Sequence, residues 1–281
     1  HMSLLKKKST KSINLLEING VTKSFGGLKA VNNCSFNVKK GSITGLIGPN
    51  GAGKTTLFNV ITGQLLAEKG SIKIDGEEIN QLPPYTTFNK GIVRTFQIPR
   101  ELKRMTVLEN LMVIKSNQSG ENLFTTWFNP WKVRREENDN LSKAEEILDF
   151  LKLSHLADEY AGNLSTGQKK LLEIGRTLMS DPKIILLDEP AAGVNPTLMN
   201  NIVDRIIAIS KERKITFLII EHNMDLIMNL CNPIIVMSYG SKLAEGNAKS
   251  IRSNKSVIDA YLGNWMKNKT KILEVNNVYS G

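Results

Sequence analysis

One stretch, Gly48-Pro-Asn-Gly-Ala-Gly-Lys-Thr55, constrains this chain more than any other. It fits the pattern G-x-x-x-x-G-K-[S/T], and its flanks match as well. An apolar run, Ile43 to Ile47, precedes it and reads as a strand, and a helix from Thr55 to about Ile61 follows and ends at Gly63. Between a strand and a helix, such glycines let the backbone wrap a phosphate with its N–H groups turned inward. The helix N-terminus adds a field that favours anions. Lys54 then neutralises the β and γ phosphates of a nucleotide, and the Thr55 hydroxyl is placed to bind Mg²⁺.

A second half-site stands at Ile184-Ile-Leu-Leu-Asp-Glu-Pro190. Two carboxylates close a short apolar strand, at the end where open α/β sheets bind ligands. Asp188 is expected to hold the Mg²⁺ shell and Glu189 to polarise the attacking water. Neighbouring strand residues point opposite ways, so the strand must end at Asp188 for both to serve one site. Leu164-Ser-Thr-Gly-Gln168 opens an amphipathic helix with the spacing of a capping box, Ser165 to Gln168. That helix start is a second candidate anion site. His222 follows an apolar strand, Thr216 to Ile220, expected next in the sheet and within reach of the same γ-phosphate. Gln97 joins an early β portion to a helical block. Phe25, ahead of Gly26-Gly27, is placed to stack on an adenine ring.

The rest of the chain supplies the frame. Strands are expected around Leu15 to Val21, Phe36 to Val38, Ile43 to Ile47 and Ser71 to Asp75. Their short connections suggest antiparallel pairing. Helices are expected at Met105 to Ile114, Leu141 to Leu153, Gln168 to Met179 and from Pro196 to about Lys211, with residues 115–140 as an insertion or mobile loop. Ile184 to Leu187, Thr216 to Ile220 and Ile234 to Met237 read as buried parallel strands alternating with helices. Apolar residues at 41% and charged ones at 23% exclude collagen-like, low-complexity and fully disordered chains. The richest apolar stretch, Leu226 to Met237, is broken by Asn229, Asn232 and Pro233, so it does not read as a membrane span. Cys34 and Cys231 have neither metal-ligand nor disulfide spacing, which makes a reducing, cytosolic compartment the default. The net charge of +10 fits a lysine-rich surface, a polyanionic ligand, an acidic membrane surface or nucleic acid. Part of it sits in a polar lead with Lys6, Lys7, Lys8 and Lys11, after a His1-Met2 tag remnant.

These motifs, in this order, resemble those of the nucleotide-binding subunits of ABC transporters. Phe25 matches the A-loop aromatic, Gly48 to Thr56 the Walker A motif, Gln97 the Q-loop, and Ser165-Thr-Gly-Gln168 the signature. Ile184 to Glu189 match Walker B with its catalytic glutamate, and His222 the switch histidine. Phe25-Gly-Gly-Leu28, Val93-Arg-Thr-Phe-Gln97, Asp188 to Pro196 and Ala260-Tyr-Leu-Gly263 are similar to the LivG-type ATPases of branched-chain amino acid importers. Asn195 stands where most families carry an aspartate, and Thr166 where glycine or a bulkier residue is commoner.

The resemblance implies an α/β, ABC-type P-loop NTPase with a parallel core sheet, an antiparallel β subdomain and a helical subdomain at about 98–180, together spanning 15–263. It implies ATP and Mg²⁺ as ligands: Phe25, Gly48, Pro49, Asn50, Gly51, Ala52, Gly53, Lys54, Thr55 and Thr56 on one face of the nucleotide, and Ser165, Gly167 and Gln168 of a second, head-to-tail subunit on the other. Thr55, Gln97 and Asp188 would serve the metal; Glu189, His222, Gln97 and Lys54 would serve hydrolysis. Partners would be integral membrane permeases at the cytoplasmic face, met by the Gln97 to Met105 region, with no direct solute binding. Competing readings are an importer of urea or short amides, a soluble ABC ATPase acting on nucleic acid or ribosomes, and a non-catalytic ATP-binding regulator. The intact Glu189 and His222 oppose the last of these. Finally, Ile272-Leu-Glu-Val-Asn-Asn-Val278 repeats Leu15-Leu-Glu-Ile-Asn-Gly-Val21 after a lysine-rich, linker-like stretch. The expectation is a longer natural polypeptide, with a second ATPase domain starting near Ile272.

Overall fold

The computed structural model describes residues 13–95, 102–114 and 130–261. Gln97 and the Ile272–Val278 repeat lie outside these. Strands β1 (Asn14–Phe25), β2 (Leu28–Lys39), β4 (Lys69–Ile74) and β5 (Glu77–Glu78) form an antiparallel sheet in the order β2-β1-β4-β5. Strands β3 (Ile43–Ile47), β6 (Ile92–Arg94), β7 (Ile184–Asp188), β8 (Thr216–Ile220), β9 (Ile234–Ser238) and β10 (Ser241–Gly246) form a second sheet, ordered β10-β9-β3-β8-β7-β6. In it, only β10 pairs antiparallel.

The antiparallel expectation therefore holds for β1, β2 and β4 and fails for β3, which pairs parallel with β8 and β9. The reason is burial. Thr44 to Ile47 are all buried, so β3 has no solvent face of the kind an outer antiparallel sheet offers. The core strands read as continuous apolar runs but alternate between two cores. Ile184, Leu186, Leu218 and Ile220 face one; Ile185, Leu187, Phe217 and Ile219 face the other. The first core fills the space between the two sheets. Helix α1 (Lys54–Ile61) lies in it, contributing Leu57, Phe58, Val60 and Ile61. Each such buried side chain contributes about 1.5–3 kcal/mol, so the helix that follows the glycine loop is held rigidly.

The second core packs helices α3 (Val107–Met112), α4 (Pro130–Phe150), α5 (Thr166–Leu178), α6 (Pro196–Glu212) and α7 (Met224–Leu230) on the far face. A short α2 (Pro84–Asn89) precedes β6, and α8 (Ala248–Arg252) follows β10. Helix α4 begins at Pro130, so the last part of the expected 115–140 loop is helical. Its first half lacks an apolar stripe: Arg134, Arg135 and Glu137 are exposed, and burial starts at Asn140, whose amide donates to Met112 O at 3.0 Å. Periodicity does not reveal a helix stretch whose described residues before Asn140 are mostly exposed. The two cysteines are buried in different cores, and burial pushes their thiols up to about 11 for Cys34 and about 12 for Cys231, which keeps them protonated.

The start of α5 has the expected capping box. Ser165 Oγ accepts from Gln168 N at 3.3 Å, and Gln168 Oε1 accepts from Ser165 N at 2.9 Å. Ser165→Ala is expected to lower unfolding free energy by about 1 kcal/mol. Urea titration would show this as a lower midpoint with an unchanged slope.

Candidate functional site

Helix α1 starts unlike most of the others. Thr106, Ser165, Asn195, Asn223 and Asn247 cap α3, α5, α6, α7 and α8 with their own side chains. At α1 the cap is Gly53, which has none, so the first-turn amides keep their capacity for an external acceptor. Sterics admit only glycine at two points of the loop. At φ +155°, a Cβ on Gly48 would stand 2.2 Å from Met237 O; at φ +93°, one on Gly53 would stand 2.1 Å from Ala30 O. The loop is thus pressed against β9 and the start of β2. Ala52 O accepts from Gly240 N at 3.1 Å, and Gly240 O from Asn32 N at 2.8 Å.

The loop borders a cleft of roughly 870 Å³. Phe25 lines it, half-exposed, with the Lys23 ammonium 5.6 Å from its ring centre. Asn50 to Thr56, Glu189 and His222 line the same cleft. Lys54 is buried, and its ammonium donates to Gly48 O at 2.7 Å and Pro49 O at 3.2 Å. Burial pushes its pKa down, and the carboxylates of Glu189 and Asp188 partly hold it up. A cation held against backbone carbonyls beside two carboxylates is ready to exchange those partners for phosphate oxygens.

Strand β7 ends at Asp188, and Glu189 takes φ +50°. That left-handed residue breaks the strand alternation, a conformation that costs about 1–2 kcal/mol for a non-glycine residue. The turn is held by Glu189 N donating to Ile220 O at 2.9 Å. As a result Glu189 enters the cleft, where its Oε1 lies 3.1 Å from His222 Nε2. Asp188 does not line the cleft; its carboxylate is taken by Arg94. Ser165, Gly167 and Gln168 do not line it either.

Three contributors were not singled out from the sequence. Arg94 is one. Glu221 is another: buried, it accepts from Ala191 N at 2.7 Å, His222 N at 2.9 Å and Asn223 N at 3.2 Å, which ties the loops after β7 and β8 together. Its sequence signal, a carboxylate directly after an apolar strand, is the same one that drew attention to Asp188. The third is Tyr261, at the end of the helical turns 255–261, whose hydroxyl meets the Gly48 backbone amide and whose pKa burial pushes up to about 12.

Among the described residues, no helix is long and apolar enough to cross a membrane. Comparison with known proteins places the chain in a family. The ABC transporter family matches residues 31–192. A probable branched-chain amino acid transport ATP-binding protein LivG of Archaeoglobus fulgidus is 44% identical over 251 residues, covering 89% of this chain and 96% of that protein. The high-affinity branched-chain amino acid transport ATP-binding protein LivG of Escherichia coli (strain K12) is 40% identical over 249 residues, covering 89% and 98%. Among solved structures, an ATP-binding cassette of an ABC transporter in its ADP conformation superposes with a TM-score of 0.78 at 43% identity, over 90% of this chain and all of that one. With the glycine loop, Lys54 and the Glu189–His222 pair gathered on one cleft, and with this likeness over nearly nine-tenths of its length, the chain belongs to the ABC transporter family, as an ATP-binding, ATP-hydrolysing protein of the LivG type.

Proposed function

We propose that this protein is the ATPase subunit of an importer for branched-chain amino acids, working on integral membrane permease subunits from the cytoplasmic face. The observation that carries the site reading is the split between its two halves. Phe25, Asn50 to Thr56, Glu189 and His222 share one cleft, whereas Ser165, Gly167 and Gln168 stand elsewhere on the same chain. A second copy or a related subunit, placed head to tail, would bring its own Ser165 and Gly167 over the γ-phosphate. In this reading Phe25 stacks on adenine, the loop from Gly48 and Pro49 onward turns the amides of Asn50 to Lys54 and the start of α1 to the phosphates, and Thr56 continues that cradle. Glu189 orients and deprotonates the attacking water, and His222 fixes the Glu189 carboxylate and reaches the γ-phosphate. Positioning and charge stabilisation, not a covalent intermediate, lower the barrier.

The donors fit Mg²⁺. The Thr55 hydroxyl and the Asp188 carboxylate are hard oxygen ligands. Among the described residues no cluster of three His, Cys, Asp or Glu forms a self-sufficient metal cage, as suits an ion that takes further ligands from substrate phosphates. Bound there, Mg²⁺ would neutralise charge on the β and γ oxygens. Gln97 is assigned to the same shell and to the contact with the permease.

The transport reading is tested by co-expression with the candidate permease and binding protein of a branched-chain amino acid importer from the same source, followed by reconstitution in liposomes. ATP-dependent uptake of labelled leucine, with ATPase activity stimulated by the loaded binding protein, is the expected result. Uptake of urea instead would change the solute, and stimulation by nucleic acid without any permease would overturn the assignment.

A further inference from the structure

Arg94 closes the edge strand β6, in register with Leu186 of β7. Its guanidinium stands where three elements of the site converge. Nη2 donates to Asp188 Oδ2 at 2.5 Å, and Nη1 donates to Asn59 Oδ1 at 2.5 Å. The guanidinium carbon lies over the Phe58 ring, 5.6 Å from its centre. Phe58 and Asn59 belong to α1, the helix whose first turn carries Lys54 and Thr55. The backbone beside Arg94 is joined to the same place: Thr95 N donates to Leu186 O at 3.0 Å, and Asp188 N to Thr95 Oγ1 at 3.4 Å. The Arg94 side chain is only 10% exposed and that of Asp188 24%, so solvent screens this pair far less than a surface ion pair.

A plain sheet-edge ion pair would need one cation and one carboxylate. This arrangement also uses a planar fork that addresses two acceptors on two elements, Asp188 and Asn59, which lysine's single ammonium does not match. Its effect is to set the plane of one carboxylate relative to α1. Holding Oδ2 leaves Oδ1 as the oxygen that would serve a cation shared with Thr55. Groups that hold a metal ligand in this way usually change metal affinity about 10–100-fold when removed.

We infer that Arg94 is a positioning residue for the Mg²⁺ ligand Asp188, acting with Asn59 to lock that carboxylate to the helix that carries the phosphate-binding residues. The inference rests on the proposed role of Asp188 in the metal shell. It adds that the orientation of the ligand comes from β6 and α1 and not from β7 alone.

The test uses the full chain and a fluorescent ATP analogue. Nucleotide affinity is measured first in chelator and then across a Mg²⁺ titration, with thermal melting recorded on the same samples. In Arg94→Ala the Mg²⁺ midpoint is expected to rise about 10–100-fold, while affinity in chelator stays near the parent's. Arg94→Lys, which can reach Asp188 but not span to Asn59, is expected to recover part of that shift. Asn59→Ala, which keeps the Asp188 pair, is expected to show a smaller rise of its own. A folded Arg94→Ala protein with the parent's Mg²⁺ midpoint would overturn the inference. Should Arg94→Ala fail to fold, parental midpoints in both Arg94→Lys and Asn59→Ala would overturn it equally. A parent protein whose nucleotide binding ignores Mg²⁺ altogether would instead defeat the metal-site reading on which the inference stands.

Discussion

Glu189→Gln is expected to keep ATP bound while turnover falls about 10²–10⁴-fold, the usual contribution of a positioned general base. The amide keeps the shape of the side chain and can still contact His222 Nε2, now 3.1 Å from the carboxylate. It cannot take a proton from water. The φ of +50° is a property of the turn, held by Glu189 N on Ile220 O, so the backbone should not change. Stalled before hydrolysis, the variant should also accumulate as an ATP-bound dimer. Phosphate release reads the first effect, and gel filtration with and without ATP reads the second. Near-parental phosphate release would remove Glu189 from the chemistry.

Lys54→Ala should act one step earlier, by weakening ATP binding about 100-fold or more. The magnitude follows from two charge-assisted hydrogen bonds to phosphate, each contributing about 1.5–3 kcal/mol, with about 1.4 kcal/mol per factor of ten. Two features sharpen the expectation. Lys54 is buried, so water cannot replace the lost charge, and its ammonium now rests on Gly48 O and Pro49 O, so truncation also loosens the loop itself. Calorimetric titration with ATP in chelator isolates this effect from any contribution of metal. An unchanged affinity would mean that the phosphates bind elsewhere.

The contrast between the two variants is informative about the site. Glu189, proposed to act on a reacting atom, is half-exposed; Lys54, proposed to act on bound charge, is buried. Losing binding and losing turnover are expected to separate because the buried Lys54 rests on Gly48 O and Pro49 O, whereas Glu189 is paired with His222.

Several elements were legible from residues alone. The glycine loop, the strand end at Asp188 and the Ser165–Gln168 capping box lie within a few residues of themselves along the chain. Local hydrogen bonds settle such features: Ala52 N donates to Pro49 O within the loop, and Gln168 reaches back to Ser165. Other elements were not legible. β3 was expected among antiparallel strands, because a short apolar run carries no mark of its neighbour. The first half of α4 was missed because its described residues before Asn140 are mostly exposed and carry no apolar stripe.

By itself, then, the sequence determined which backbone could cradle a phosphate and which side chains could carry charge to it. Only the tertiary structure decided which of those side chains meet. Arg94 and Asp188 are separated by 94 positions, and the chain between them includes α3, α4 and α5. Glu221 reaches Ala191 across 30 positions. No local periodicity records such pairs. They exist because β6, β7 and β8 align in one parallel sheet whose strand ends share an edge, and that alignment is set by burial of both sheet faces, a property of the whole core and not of any segment.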